Sequence, residues 1–380
     1  MTANQKGVNK PDATPESDAH ALPPLRSVHT ESFPLILAEM RSSLAVTTYQ
    51  AGKLVFLRPQ DGKLNTHFRA FDSPMGLAAN HQILSIGTPG HISHFRSMPA
   101  VAQKREPLGQ VDACYMPRDS HTTGDILVHE MAYGDNNELW VVNTRFSCLC
   151  TLDTVNSFVP RWKPRFISGY APNDRCHLNG IGMVDGKPKY VTALGETNTP
   201  TGWRANKKDG GILMDVPSNE IIARNLSMPH SHNGQLWVLE SGKGTLSMVD
   251  LKTGKHEAIA TVPGFTRGLD FFGPLAFIGL SQVRETAVFS GIPITDQNIE
   301  RNSGVWVINI QTGQVVAFVK FEDALQEIFA VQILQGIISP DLVNDELEMI
   351  HSSYELPDEA MQYVEIPKPE PESKEEKPKP

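Results

Sequence analysis

Much that usually signals a function is missing from this sequence. Cysteine is scarce, with four in 380 residues. No C-x-x-C pair occurs, which excludes the common zinc and dithiol motifs. Cys148 and Cys150 lie two apart and would face the same way on a strand. Free buried thiols in a reducing compartment are nevertheless the expectation for all four. No apolar run approaches the ~20 residues of a membrane span, so no membrane association is expected. Residues 1–26 (MTANQKGVNKPDATPESDAHALPPLR) hold no apolar core, so no secretory leader is expected and the expected location is cytoplasmic. The formal net charge is -9. No Lys/Arg-rich patch is interleaved with aromatics, which excludes a dedicated nucleic-acid binder. G-x-S-x-G, H-E-x-x-H, Walker and dinucleotide motifs are all absent. His129 and Glu130 in HEMAYG have no second histidine at helical spacing, so they do not form a zincin pair.

Helix-period stretches are scarce too. The chain instead offers short β-rich runs broken by Gly, Asn, Asp and Pro. The organisation expected from these runs is a disordered segment over 1–30, a β-domain over 31–340, a C-terminal extension over 341–365 and a tail over 366–380. That tail, IPKPEPESKEEKPKP, has five prolines and eight charged residues, so an extended, solvated segment is expected.

Within the β-domain one two-strand unit recurs. It reads MGLAANHQILSIGT (75–88), HEMAYGDNNELWVVNT (129–144), NGIGMVDGKPKYVTAL (179–194), HSHNGQLWVLES (230–241), RGLDFFGPLAFIGL (267–280) and, cut short, IFAVQIL (328–334). Most copies are followed by a further hairpin, as in ILMDVPSNEIIARN (212–225) and VWVINIQTGQVVAFVKF (305–321). Four strands per ~40–50 residues is the spacing of a propeller blade. The last copy supplies one strand and stops. Residues 43–71 supply three strands with no first strand before them. The two pieces complete one blade, which closes the ring and removes its open edge. The expected fold is therefore all-β, a six-bladed β-propeller closed by its N-terminal strands. A seventh blade would follow if the 281–303 insertion hid one.

In such a blade the first strand lies against the central channel. Loops that lead into strand one, and loops that join strands two and three, share one face. Polar residues at those places are expected to meet at one channel mouth. Leading into strand one are Met75, Glu130, His177 with Asn179, His230, Arg267 and Glu327. Leaving strand two are Asn143 with Arg145, Glu196 with Asn198, Glu240, and Arg284, with Tyr49 and Gln50 in the split blade. Taken singly, each histidine or asparagine here also suits a strand cap or a turn, and each arginine an ion pair. Their convergence is what points to a site.

Glu130, His177, Glu196 and His230 are the candidate catalytic groups, since a carboxylate beside a histidine exchanges protons near neutral pH. Asn143, Arg145, Asn198, Glu240, Arg267 and Arg284 are the candidate substrate contacts. Arginines among them suit a carboxylate or phosphate. Oxygen ligands from Glu130, Asn179 and Glu327 suit a hard divalent cation, and several histidines with a carboxylate suit a transition metal. The expected ligand is a small anionic molecule or peptide, acted on by a hydrolase, lyase or isomerase. A scaffold propeller that binds a protein partner is the alternative.

Three segments, SLAVTTYQAGKLVFL, HLNGIGMVDGKPKYVTALGETN and MPHSHNGQLWVLESGKG, resemble an uncharacterised bacterial propeller family, a domain of unknown function, over about residues 35 to 340. That resemblance implies a propeller and no established activity. More distantly, N-G-I-x-x-x-D-G-x-x-x-Y-V (179–191) is similar to a blade signature of the gluconolactonase and senescence-marker lactonases. Those are six-bladed propellers with a divalent metal in the channel, and the similarity implies Asn179 as a metal ligand.

Overall fold

The structure is a computed structural model that describes residues 25–232, 236–283, 290–296, 300–322 and 324–365. The expected disordered N-terminal stretch and the 366–380 tail lie mostly or wholly outside those residues. Six small antiparallel sheets form a ring, with their first strands touching in succession around a central channel. The first strands of blades one to five are Leu77–Ala79, Val128–Tyr133, Leu178–Val184, Pro229–His232 and Phe265–Phe272. Blade six begins with Val331–Gln335, and Ser42–Thr48, Lys53–Gln60 and Lys63–Ala70 complete it. Ser42 pairs with Gln335 and Val46 with Val331, so the split blade expected from the sequence is present. Among the described residues of the 281–303 insertion there is only a short helical turn, and the blades number six.

Local chemistry explains the repeated hairpin. In VDGKP, Asp185 and Gly186 both take positive φ, 48° and 69°, the two-residue turn that matches strand twist. Gly186 is required there twice over, because a Cβ would meet the Asp135 carboxylate at 1.9 Å. First strands mix apolar with polar residues, as in VHEMAY (128–133) and PHSH (229–232). Wedges of core fill the gaps between sheets, such as Leu44, Val55, Phe277, Val305 and Val319 between blades five and six.

Two additions lie outside the simple blade pattern. Ser27–His29, expected within the disordered N-terminal segment, instead pair with Val319–Phe321 as a fifth strand of blade five. The helix Ser32–Glu39 then packs Phe33 and Leu37 into the core of blade six. At the other end, Pro340–Leu342 pair in parallel with Ala113–Tyr115 as a fifth strand of blade one. Asp341, almost fully buried, accepts from His67 Nε2 at 2.7 Å, from Arg69 at 2.5 Å and from Arg105 at 2.7 Å. Blade six is thus tied to both neighbours by chain segments as well as by core. No helix among the described residues is long and apolar enough to cross a membrane.

Candidate functional site

Three first strands carry a β-bulge near their starts. In blade two, Val141 faces Met131 and Asn143 faces Val128, so His129 and Glu130 together oppose one residue. In blade three the register slips between Leu178 and Gly180, at Asn179. In blade five it slips between Arg267 and Leu269, with Gly268 at φ 65°. A bulge re-aims the side chains beside it. Here the re-aimed residues are polar and surround the channel.

The residues just before three first strands are also left-handed. Leu127, His177 and Met228 have φ of 51°, 52° and 49°. Each such non-glycine residue costs on the order of 1 kcal/mol or more. All three line the same opening.

Two connected cavities result. The outer one, about 290 Å³, is the mouth, with Asp174, His177, Trp203, Arg267 and Glu327 in its wall. The inner one, about 240 Å³, is the channel chamber, lined by Glu130, Tyr133, Asn179, Asp270 and Gln332 among others. His129 and Phe329 belong to both walls and form the neck between them. Their rings meet at 5.2 Å between centroids.

In the mouth, Asp174 organises one side. Its carboxylate accepts His177 Nδ1–H at 2.9 Å and Trp203 Nε1–H at 3.0 Å. The His177 ring lies 4.5 Å from the Trp203 ring and 4.7 Å from the His129 ring, edge-on to the latter. With Nδ1 turned to a carboxylate, Nε2 is the ring nitrogen left to face the mouth. On the other side, the Arg267 guanidinium lies 4.8 Å from the Phe329 ring centre and 5.4 Å from that of Phe265. Glu327 stands 3.6 Å from it, within ion-pair range and beyond hydrogen-bond length. Burial pulls the Arg267 guanidinium below its ordinary value, against the opposing pull of Glu327. Among the described residues its buried Nε has no acceptor.

The sequence-expected residues divide accordingly. His177, Arg267 and Glu327 meet in the mouth, with Tyr49, Gln50 and Met75 at its rim. Glu130 and Asn179 lie deeper, in the chamber. Glu130 accepts the backbone N–H of Ile181 at 2.8 Å, and Asn179 Oδ1 accepts the Thr192 hydroxyl at 2.8 Å. Both lie at the bulges of their strands.

The residues leaving strand two are taken up in local contacts. Buried Asn143 clips its own turn through the Phe146 N–H at 3.0 Å. Arg145 pairs with Asp125, and exposed Glu196 pairs with Arg224. Asn198 accepts from Arg175 at 2.8 Å and from the Ser168 N–H at 3.1 Å. Glu240 is buried inside blade four, where it meets Lys243 at 2.5 Å and His256 at 3.4 Å. His230 lies on the first strand of blade four opposite Leu239. Its side chain, and the whole of Arg284, lie outside the described residues. Sequence reasoning missed His129, Asp174, Trp203 and Phe329. Only His129 carried a signal, as a histidine at the start of a first strand.

Among the described residues no group of three or more His, Cys, Asp or Glu side chains is spaced to hold a metal ion. Asn179 and Glu327, the expected metal ligands, line different cavities.

Comparison with known proteins adds a family. Residues 31–343 match the model of a family described as a domain of unknown function, DUF4915. No curated protein matches the chain. Among solved structures, a chain of a nidogen/laminin complex is 10% identical, with 78% of this chain and 99% of that one covered at a TM-score of 0.49. A protein of unknown function from Bacteroides caccae is 10% identical, with 77% and 98% covered and a TM-score of 0.48. Virginiamycin B lyase from Staphylococcus aureus is 11% identical, with 72% and 75% covered and a TM-score of 0.37. These likenesses concern outline alone.

Proposed function

We propose, for a chain that belongs to the DUF4915 family and so takes no activity from its relatives, that the channel mouth binds a carboxylate-bearing small molecule and moves a proton on it. One observation carries this reading. A histidine oriented by a carboxylate and a buried arginine whose Nε–H has no acceptor among the described residues share one cavity.

The chemistry follows from the two sides. Arg267 receives the substrate carboxylate, because a planar guanidinium matches two carboxylate oxygens and a dry, apolar setting strengthens the pairing. His177 Nε2 takes a proton from the substrate carbon or hydroxyl. The imidazolium that forms is stabilised by Asp174 at its other nitrogen. Returning the proton at another position completes an isomerisation. Delivering it to a leaving group completes an elimination. Trp203 and Phe329 supply apolar walls that exclude water from the exchange. No step needs a metal.

The test is a thermal-shift and calorimetric screen of small carboxylates, repeated on Arg267→Met and His177→Gln. Arg267→Met should lose binding. His177→Gln should bind with little change in affinity and lose turnover, so kcat falls while KM holds. If no carboxylate raises the melting temperature, or if Arg267→Met binds as the wild type does, the reading fails.

A second reading is favoured by a different observation. Leu347, Tyr354, Met361 and Tyr363 are 63%, 78%, 55% and 79% exposed within one short stretch of the C-terminal extension. Clustered exposed apolar side chains mark protein contact surfaces. A scaffold role predicts that carboxylates leave the melting temperature unchanged, while Tyr354→Ser with Tyr363→Ser weakens binding to a purified protein partner.

A further inference from the structure

The C-terminal extension crosses blade one in two unlike halves. The first half is anchored. Leu342 and Val343 are buried, Asp341 is held by His67, Arg69 and Arg105, and Met349 and Ile350 pack onto the core near Val101 and Met116. In the second half, residues 354–359 (YELPDE) are exposed throughout. Among the described residues, no backbone hydrogen bond joins this stretch to a blade. Glu355 fastens it. One carboxylate oxygen meets Arg96 Nε at 2.7 Å and the other meets Arg118 Nε at 3.3 Å.

Arg96 and Arg118 project from neighbouring strands of blade one, Gly90–Ser97 and Ala113–Gly124. With Ile83, His94 and Phe95 they form one wall of a cleft of about 690 Å³, and the ELPDE stretch forms the other. A wall that sets two arginines beside Ile83, Phe95 and His94 is suited to a carboxylate flanked by apolar side chains. The stretch seated there has that composition.

We infer that the blade-one wall carrying Arg96 and Arg118 is an acidic-peptide site, which the chain's own Glu355 segment covers reversibly in the absence of a partner peptide. The hold is weak enough to exchange. Exposed ion pairs contribute at most about a fivefold factor each to an equilibrium, and salt screens them. Tethering supplies the rest, since a segment joined through a short connection has an effective concentration in the millimolar range. A partner peptide must therefore outcompete a local rival, and removing Glu355 should uncover the site.

The probe is a fluorescein-labelled peptide of residues 353–360, SYELPDEA, titrated by anisotropy against the full chain. Glu355→Ala should bind it more tightly than the wild type, by up to about fivefold for each of the two exposed ion pairs removed. Adding Arg96→Gln and Arg118→Gln should abolish that binding, and raising ionic strength should weaken it. To separate misfolding from loss of recognition, Arg96→Glu should prefer the peptide with lysine in place of the first glutamate. Equal binding by wild type and Glu355→Ala, or equal binding of SYQLPDEA, would overturn the inference. So would Arg96-dependent self-association that leaves no binding of added peptide, since the occupant would then be a second copy of the chain.

Discussion

Replacing Arg267 by methionine and Glu327 by glutamine removes the buried ion pair of the mouth while nearly preserving its volume. At 3.6 Å, an effective dielectric of 20 gives an attraction of about 5 kcal/mol. Against this stands the penalty of taking two ions out of water, still several kcal/mol each after relaxation. Hydrogen bonds usually close such a gap, but the pair is too long for one, and Arg267 Nε is unsatisfied. Desolvation should win, and the double variant should gain about 1–4 kcal/mol in stability. In a fold of this size that corresponds to a rise of about 1.5 to 6 °C in Tm. Arg267→Met alone should melt below the double variant, because it keeps the Glu327 carboxylate buried after removing a cation beside it. Scanning calorimetry of wild type, single and double variants in the absence of ligand decides between these outcomes. If the double variant melts below the wild type, the pair is a structural element in its own right. The view of Arg267 as a group waiting for an anion then collapses.

Other outcomes follow from the same physics. Asp341→Asn should cost about 3 kcal/mol, because it leaves His67, Arg69 and Arg105 facing a neutral amide. His67 with Arg69 and Arg105 hold the Asp341 carboxyl well below its usual range despite burial. Its stabilisation is therefore complete above about pH 4 and is lost as pH falls below that value. Urea titrations between pH 2 and 7 should show wild type and Asp341→Asn converging in stability at the acid end. Burial pushes the thiols of Cys114, Cys148 and Cys176 up to about 12, and it raises Cys150 as well. Native protein at pH 8 should resist iodoacetamide, while denatured protein should take up four labels by mass; labelling of the folded chain would contradict the packing described.

The blades were legible because strand pairs leave a local imprint: an apolar run, a turn with Asp-Gly or its like, and a second apolar run. The closure of blade six was legible for the same reason, since 328–334 lacked the strands that 43–71 had to spare. The site was legible only in outline. His177 and Arg267 could be placed by their position before or at the start of a first strand. Asp174 and Trp203 sit in long connections whose course follows no period, so nothing in their spacing foretold that one carboxylate would hold both an imidazole and an indole. Asn143, Glu196 and Glu240 show the opposite case. Their residue types suit ligand contacts, but a turn N–H, an arginine on the outer strand of blade three and a lysine three residues on are nearer partners. Alternation along a strand tells which face a residue takes. It does not tell how far down the channel a bulge will aim it.

The split blade also sets an order of events during synthesis. Ser42–Thr48 leave the ribosome early, but their inner partner, Val331–Gln335, follows roughly 280 residues later, about 15 to 60 s at ordinary elongation rates. For that interval the ring has an unsealed seam, and an apolar strand edge stays open to any extended chain nearby. Ser27–His29 and the Ser32–Glu39 helix need blade five, which is also made late. The N-terminal strands are thus the first made and among the last to gain all their neighbours, which makes the nascent chain, more than the finished ring, the state most exposed to mispairing.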